Sequence, residues 1–256
     1  FMNALRTIPQ MAEIASAAER YAPEAWMINF SNPSGIVTEY LLNHTPLKAV
    51  GLCNLPIGAQ ERIARLLGVP MEQVRLETVS LNHCGAITAV YHNGENVLPR
   101  LLSPESLDYA ASQEPWVQYY RPIIEMLGTI PNDYLQYFFY RERKLQELQQ
   151  APQTRGEACV EIETRLLSYY ADIRMRTIPP MLAERGGHLY SEAAVALIAS
   201  LSGAAPGDHV VDVQNKGTLS FLPENSVIET SCFVGRDSIR QNPVVSAPNE
   251  ALVSLL

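Results

Sequence analysis

Three short apolar runs in the first third of the chain each end in a polar motif. Each run predicts a short buried strand. In open α/β sheets, ligands bind outside the carboxyl ends of the strands, which is where all three motifs lie. The pattern therefore predicts a single crevice lined by Asn, Cys and His side chains. The runs are 25–30, 47–50 and 74–80, and the motifs are Ser31-Asn32-Pro33-Ser34-Gly35, Gly51-Leu52-Cys53-Asn54-Leu55-Pro56 and Leu81-Asn82-His83.

Helical patterns alternate with these strands. Apolar spacing predicts a helix over 4–20, a second over 34–43 with Ser34 as its N-cap, and a third over 57–67 that closes at Gly68. The order strand, helix, strand, helix, strand is typical of a parallel sheet with right-handed crossovers, which is half of a doubly wound sheet. The strands are predicted over 26–30, 48–52 and 75–81.

The pattern changes near residue 84, where we place a domain boundary between 1–84 and 85–256. The turn His92-Asn93-Gly94 predicts a hairpin with strands over 86–91 and 96–101. Residues 104–203 are largely helical in pattern. Helix breaks are predicted at Pro122, Pro131, Pro152 and Pro179-Pro180, β-rich runs at 209–213 and 226–234, and the start of a helix at 251–256.

Composition narrows the classes of function. The chain has 256 residues and a net charge of −8, and this charge argues against a nucleic-acid partner because phosphates would be repelled. No apolar run approaches the ~18 residues of a membrane span, so no membrane partner is expected. The cysteines form no CxxC pair, and we expect a reducing cytoplasm. They are Cys53, Cys84, Cys159 and Cys232.

Cys53 and His83 are the candidate metal ligands, because each follows a strand of the same predicted sheet. Two protein ligands would leave open positions for substrate oxygens, as catalytic metal sites require. The alternative is a buried thiol and a hydrogen-bonded core histidine, and the residues alone favour that alternative.

Several motifs in one order give the chain a family resemblance. The sequence resembles the NAD- and manganese-dependent family 4 glycoside hydrolases, in particular their 6-phospho-β-glucosidase branch. The motifs that carry the resemblance are Asn32-Pro33-Ser34-Gly35-Ile36-Val37-Thr38-Glu39, Gly51-Leu52-Cys53-Asn54-Leu55-Pro56-Ile57-Gly58, Leu81-Asn82-His83, Ala4-Leu5-Arg6-Thr7-Ile8-Pro9, Tyr134-Leu135-Gln136-Tyr137 and Arg185-Gly186-Gly187-His188-Leu189-Tyr190-Ser191.

The resemblance implies an α/β fold: the second half of a Rossmann-like parallel sheet, followed by a mixed α+β domain of the lactate/malate dehydrogenase-like type. Residues 1–84 would complete an NAD-binding domain, and residues 85–256 would carry the substrate and metal site and the oligomer contacts. No GxGxxG-like turn occurs among the 14 glycines. We therefore expect an internal portion of a longer enzyme, with its main cofactor-binding residues outside this chain.

The activity that the resemblance implies is hydrolysis of 6-phospho-β-glucosides, such as cellobiose 6-phosphate. NAD⁺ would oxidise C3 of the sugar, and Mn²⁺ or another divalent metal would polarise the C2 and C3 oxygens. Removal of the C2 proton, elimination across C1 and C2, addition of water and return of the hydride would complete the cycle. The cofactor would thus be regenerated, outside the usual two-carboxylate scheme.

The resemblance also implies residue roles. Tyr134 would be the catalytic base, with Tyr137 as a fallback. The alternative is that Tyr134, Leu135, Phe138 and Phe139 form an aromatic core face on a helix. Asn32 and Asn54 would bind sugar hydroxyls, and Arg155 would bind the 6-phosphate. The pair Cys53-Asn54 matches the β-glucoside members, whereas α-glucoside members carry Cys-Asp at these positions.

Two other functions remain open. An NAD-dependent 2-hydroxy-acid dehydrogenase of the lactate/malate type would share the architecture, but it needs a His–Asp relay and no metal-binding Cys. A sugar-sensing or assembly module would have lost catalysis. The family resemblance implies a homodimer or homotetramer in the cytoplasm that acts on a phosphorylated disaccharide.

Overall fold

The computed structural model describes residues 2–114, 116–186 and 189–256. Nine strands of the described residues form one sheet. They are β1 (Trp26–Asn29), β2 (Lys48–Gly51), β3 (Val74–Leu81), β4 (Cys84–His92), β5 (Glu95–Asn96), β6 (Ile130–Pro131), β7 (Gly207–Gln214), β8 (Val227–Gly235) and β9 (Ser238–Gln241).

Helices account for most of the remaining described residues, together with three 3₁₀ turns at Met71–Gln73, Asp133–Leu135 and Pro180–Arg185. Among the described residues, no helix is both long and apolar enough to cross a bilayer. The helices are α1 (Met2–Tyr21), α2 (Ser34–His44), α3 (Asn54–Leu67), α4 (Leu98–Leu101), α5 (Pro104–Gln113), α6 (Trp116–Leu127), α7 (Gln136–Phe139), α8 (Arg141–Gln150), α9 (Arg155–Tyr170), α10 (Tyr190–Leu201) and α11 (Glu250–Leu255).

The sheet is mixed, with strand order β1-β2-β7-β8-β3-β4-β5. β1 and β2 are parallel, as predicted. The prediction that the third strand continues this parallel pattern is wrong, because β7 and β8 lie between β2 and β3 and every pairing from β2 to β3 is antiparallel. β2 and β3 therefore run in opposite directions. Their ends lie close together because Gly51 of β2 and Ser80 of β3 fall in one row across the sheet, through β7 and β8.

Local chemistry sets the helix ends. Gly68 closes α3 in the left-handed conformation, with φ 69°, which glycine adopts at no steric cost. The prediction that Ser34 caps α2 is wrong, since Pro33 holds the cap position and the Ser34 hydroxyl donates to Asp212 Oδ2 at 2.5 Å. This serine ties the start of α2 to the sheet instead.

Two sequence predictions fail between residues 86 and 127. The hairpin at Asn93 exists, but its second strand is only β5, and Leu98 begins helix α4 rather than continuing a strand. Pro122 lies inside α6 and does not break it. Burial of Tyr120 and Ile124 on one face of α6 stabilises the helix despite the missing proline N–H.

Helices cover both faces of the sheet around β2. Leu197 of α10 packs with Val50 and Val211 on one face, and Leu41 of α2 packs with Ala49 on the other. Successive strand residues point to opposite faces, so neighbours in β2 serve two cores. β3 and β4 form a continuous hairpin through Leu81 and Cys84, and the domain boundary near residue 84 stays a prediction.

Candidate functional site

The thiol of Cys53 and the imidazole of His83 meet at the ends of β2 and β3. Cys53 is buried and is the last residue before α3. His83 lies in the two-residue turn that joins β3 to β4. Cys53 Sγ and His83 Nε2 are 3.4 Å apart. The structure thus brings together the two residues that we predicted as metal ligands.

His83 has a strained backbone. Its φ is 65°, a region that favours glycine or asparagine and costs a histidine about 1 kcal/mol or more. The turn places the ring beside Cys53 and beneath Tyr134. Strain of this kind is characteristic of residues whose side chain must occupy one position.

The separation of the two side chains fits a shared divalent metal. With metal–sulfur and metal–nitrogen bonds of about 2.3 and 2.1 Å, ligands at angles of about 90–110° lie about 3.1–3.6 Å apart. Within the described residues, no third His, Cys, Asp or Glu completes a metal-binding group with them. A bound ion would therefore have positions open to oxygens that the protein does not supply.

Burial sets the protonation of both groups. It raises the pKa of the Cys53 thiol to about 12, and the negative charge of Glu229 adds to this, while the backbone N–H of Leu55 opposes it. Burial lowers the pKa of His83, so the imidazole is neutral near pH 7 and able to bind a metal. The thiol becomes a ligand when a cation compensates the loss of its proton.

Tyr134 lies over His83, with ring centroids 4.5 Å apart and an interplanar angle of 27°. Its side chain is 44% exposed, and Phe138 is 67% exposed, so neither ring is part of the core. Leu135 is buried, and Phe139 and Tyr140 pack against the same core cluster. Burial raises the pKa of Tyr134, and nearby Cys53 adds to this, whereas Arg155 lowers it. The hydroxyl therefore needs a positive charge to act as a base.

The predicted substrate residues Arg155 and Asn54 hold one turn from two sides. Arg155 begins α9, and its Nη2 donates to the carbonyl of Glu184 at 3.0 Å. Asn54 Nδ2 donates to the carbonyl of Gly186 at 3.3 Å. The rest of the predicted motif includes Gly187 and His188, which lie outside the described residues.

Asn32 lies near Tyr190, a residue for which the sequence predicted no role. Burial raises the pKa of Tyr190 and Cys53 adds to this, whereas the nearby Asn32 side chain lowers it. Phe30 packs edge-on against Tyr190, with ring centroids 5.4 Å apart. An open depression lined by Phe30, Asn32, Tyr190 and Ser191 lies beside the site.

Two buried carboxyls, those of Asp212 and Glu229, act electrostatically on Cys53 and were not predicted from the sequence. The available signal was an acidic residue within each of two apolar strands, where an ionisable group needs partners. Cys232 is buried, and Cys84 and Cys159 are half-buried. All four cysteines are free thiols.

Two family models match the chain. That of the family 4 glycosyl hydrolases matches residues 1–69, and that of the family 4 glycosyl hydrolase C-terminal domain matches residues 79–255. The probable 6-phospho-beta-glucosidase of Bacillus subtilis is 34% identical over 90% of this chain and 54% of its own length. The chain thus spans about half the length of this relative.

Solved structures agree with the sequence matches. The 6-phospho-beta-glucosidase of Thermotoga maritima, solved with NAD and glucose-6-phosphate, superposes with a TM-score of 0.86 at 29% identity, over 98% of this chain and 58% of that one. A second structure of that enzyme contains manganese, NAD⁺ and glucose-6-phosphate, with a TM-score of 0.85 at 28% identity, and covers 98% and 59% of the two chains.

More distant matches bear on the fold and on anomer preference. Lactate dehydrogenase of Eimeria maxima superposes over the whole chain and 65% of its own at 14% identity, with a TM-score of 0.53, which confirms the predicted fold class. The 6-phospho-alpha-glucosidase of Leptotrichia buccalis is 25% identical over 90% of this chain and 56% of its own length. Both anomer preferences therefore occur among the relatives.

Proposed function

The chain belongs to the family 4 glycosyl hydrolases, and on this basis we propose that the complete protein hydrolyses 6-phospho-β-glucosides with NAD and a divalent metal, Mn²⁺. The relatives named 6-phospho-beta-glucosidases reach 34% identity, and the 6-phospho-alpha-glucosidases reach 27%. Asn54 after Cys53 supports the β preference, because the family resemblance places Asp, and not Asn, at this position in the α-glucoside members. A phosphorylated disaccharide would be the substrate.

One observation carries the proposal. Cys53 Sγ and His83 Nε2 converge to 3.4 Å, and the ring of Tyr134 stacks on His83. A thiol, a neutral imidazole and a phenol within one cluster suit the binding of a metal beside a proton-abstracting group. Neither a core histidine nor a packing tyrosine requires this combination, and Tyr134 is too exposed for packing to explain it.

Each predicted site residue would have its own role in the proposed reaction. When bound, NAD would accept and return a hydride, and a metal held by Cys53 and His83 would polarise the sugar oxygens. Tyr134, in its ionised form, would take the proton from C2 of the sugar onto its phenolate oxygen. Asn32 and Asn54 would orient the sugar hydroxyls, and Arg155 would bind the 6-phosphate as a guanidinium suited to phosphate oxygens.

Arg155 fits its proposed role in two ways. It is exposed and is held in place by the Glu184 carbonyl, and its charge reaches Tyr134. The guanidinium would bind the phosphate, and before the phosphate binds, its charge favours the ionised form of Tyr134. Assembly into a homodimer or homotetramer and a cytoplasmic location remain part of the proposal.

The assay that tests this function uses the complete protein with p-nitrophenyl 6-phospho-β-glucoside and the α anomer, each with and without NAD⁺ and Mn²⁺. We expect nitrophenol release from the β anomer when both additions are present, with no net NADH. Net NADH formation from a 2-hydroxy acid would instead indicate the dehydrogenase, which the comparisons do not favour. Sugar phosphate binding without turnover would indicate a sensing module.

A further inference from the structure

A row of four residues crosses the sheet directly below the Cys53–His83 pair. Gly51 of β2 faces Asp212 of β7, Asp212 faces Glu229 of β8, and Glu229 faces Ser80 of β3. Cys53 follows Gly51 by two residues, and His83 follows Ser80 by three. Two carboxyls therefore lie side by side at the level where β2 and β3 end.

Burying these two carboxyls in the interior of the sheet costs free energy. Asp212 is 1% exposed and Glu229 is 4% exposed. No basic side chain of the described residues offsets either charge, and Asp212 Oδ1 has no hydrogen-bond partner among those residues. Apolar residues of similar volume would serve folding at least as well. The pair therefore needs an explanation beyond the stability of the fold.

Asn82 connects this pair to the thiol. Its Nδ2 donates to Glu229 Oε1 at 3.0 Å, and the side chain lies close enough to Cys53 to lower the pKa of the thiol. Its Oδ1 accepts from the backbone N–H of Gly35 at 3.4 Å. Asn82 is therefore held by Glu229 and Gly35 on either side of its amide, and it precedes His83 in the same turn.

Close packing preserves this arrangement. A Cβ at residue 35 would lie 2.9 Å from the Asn82 Cβ, which is closer than carbon atoms approach, so glycine is needed there. A Cβ at residue 51 would lie 2.6 Å from Asp212 Oδ2. The Ser34 hydroxyl donates to Asp212. The start of α2, the end of β2 and the turn at Asn82 are thus joined through the two carboxyls.

We propose that Asn82 is a positioning residue that holds the Cys53 sulfur toward His83, and that Glu229 is the anchor that orients the Asn82 amide. The inference rests on the proposed metal site at Cys53 and His83. The backbone of the turn fixes His83 while the Asn82 side chain fixes Cys53, so one short turn sets both ligands. Residues that orient ligands in this way typically contribute about 10–100-fold to metal affinity.

The test measures binding of Mn²⁺ alone to the complete protein, from the paramagnetic resonance signal of free Mn²⁺. Asn82→Ala should weaken binding about 10–100-fold. Asn43→Ala is the matched control, because the Asn43 amide also makes two hydrogen bonds, to Asn225 and Gln214, at the far end of α2. We expect this control to bind Mn²⁺ as the wild type does.

A second pair of variants keeps the inference testable if Asn82→Ala does not fold. Glu229→Gln retains an acceptor for the Asn82 amide and should keep wild-type affinity, whereas Glu229→Met removes the acceptor and should weaken binding. With Co²⁺ in place of Mn²⁺, Glu229→Met should also show a weaker thiolate-to-cobalt charge-transfer band at saturation. Equal affinity and equal bands in Glu229→Met and the wild type would overturn the inference.

Cys53→Ser separates the two levels of the proposal. If this variant binds Mn²⁺ as the wild type does, the metal site itself is wrong, and the proposed function fails with it. If Cys53→Ser loses Mn²⁺ while a folded Asn82→Ala keeps wild-type affinity, only the positioning role of Asn82 is wrong.

Discussion

Two buried carboxyl sites in the same sheet differ in how they are satisfied. Glu77 of β3 is 2% exposed, and its two oxygens accept four hydrogen bonds. The donors are Thr88 Oγ1, Tyr91 Oη and the backbone N–H groups of Val245 and Ser246, at 3.0, 3.3, 2.9 and 3.0 Å. The pair of Asp212 and Glu229 is equally buried but incompletely bonded, and it faces a thiol.

This difference distinguishes Glu77, whose hydrogen bonds explain its burial, from Asp212 and Glu229, whose hydrogen bonds do not. Glu77 fastens the segment at 245–246 to the sheet, and its hydrogen bonds account for its burial. Among the described residues, no backbone N–H group donates to the Asp212 or Glu229 side chain, and the donors to these side chains, such as Ser34 and Asn82, belong to the motifs around Cys53. The burial of a carboxyl therefore does not indicate its role, whereas the residues that donate hydrogen bonds to it do.

The largest effect is expected where the pair meets the metal site. Cys53→Ser and His83→Ala should each abolish Mn²⁺-dependent activity of the complete protein, with little change in its melting temperature. Cys84→Ser is the control, because this half-buried thiol adjoins His83 and should be dispensable. Unchanged activity and metal titration in the first two variants would make Cys53 and His83 ordinary core residues.

Tyr134→Phe should follow closely in size. The ring and its stacking on His83 remain while the proton-abstracting oxygen is lost, so turnover should fall ~10²–10⁴-fold. Stability should change little because the side chain is 44% exposed. Tyr137→Phe serves as the comparison, and a larger loss there than in Tyr134→Phe would transfer the role of base to Tyr137.

Glu77→Gln sharpens the contrast between the two carboxyl sites. Both Glu77 oxygens accept backbone N–H groups, and a glutamine has only one acceptor oxygen. We expect the free energy of unfolding to fall by about 2–4 kcal/mol, with Mn²⁺ affinity unchanged. Urea unfolding measures the first quantity and metal titration the second. Loss of Mn²⁺ binding in a folded Glu77→Gln protein would break the comparison.

The smallest effect concerns pH. Burial raises the pKa of Asp212 to about 7 and of Glu229 to about 8. The folded metal-free protein thus holds protons that the unfolded chain releases near pH 4, and the free energy of unfolding should fall between pH 5 and 8. Urea midpoints should show this fall, and Glu229→Gln should flatten it. An equal slope in both proteins would assign the pH dependence to other groups.

Local sequence signals predicted the site better than the sheet. The polar motifs after the apolar runs located Cys53 and His83, although the parallel arrangement assumed for them is wrong. The two residues meet because Gly51 of β2 and Ser80 of β3 lie in one row across the sheet. The direction of β3 could not be predicted, because β7 and β8 enter the sheet more than 120 residues later. The turn at Asn82 and His83 also lacks the usual glycine, so its hairpin was not expected.

The contacts of Asp212, Glu229 and Asn82 could not be predicted from the sequence for a different reason. Asp212 and Glu229 lie in apolar strands far from the motifs in sequence, and only the register of β7 with β8 places them opposite each other. Asn82 belonged to a predicted motif, but its amide has a role only once Glu229 and Cys53 are near it. Long-range pairing creates these contacts, and one sequence does not encode them locally.

The fate of the C2 proton tests the central claim most directly. With 6-phospho-β-glucoside as substrate for the complete protein, product formed in D₂O should carry deuterium at C2, and substrate deuterated at C2 should turn over more slowly. Both results follow if the Tyr134 hydroxyl removes that proton beside Cys53 and His83. Hydrolysis with no exchange at C2 and no isotope effect would contradict the account.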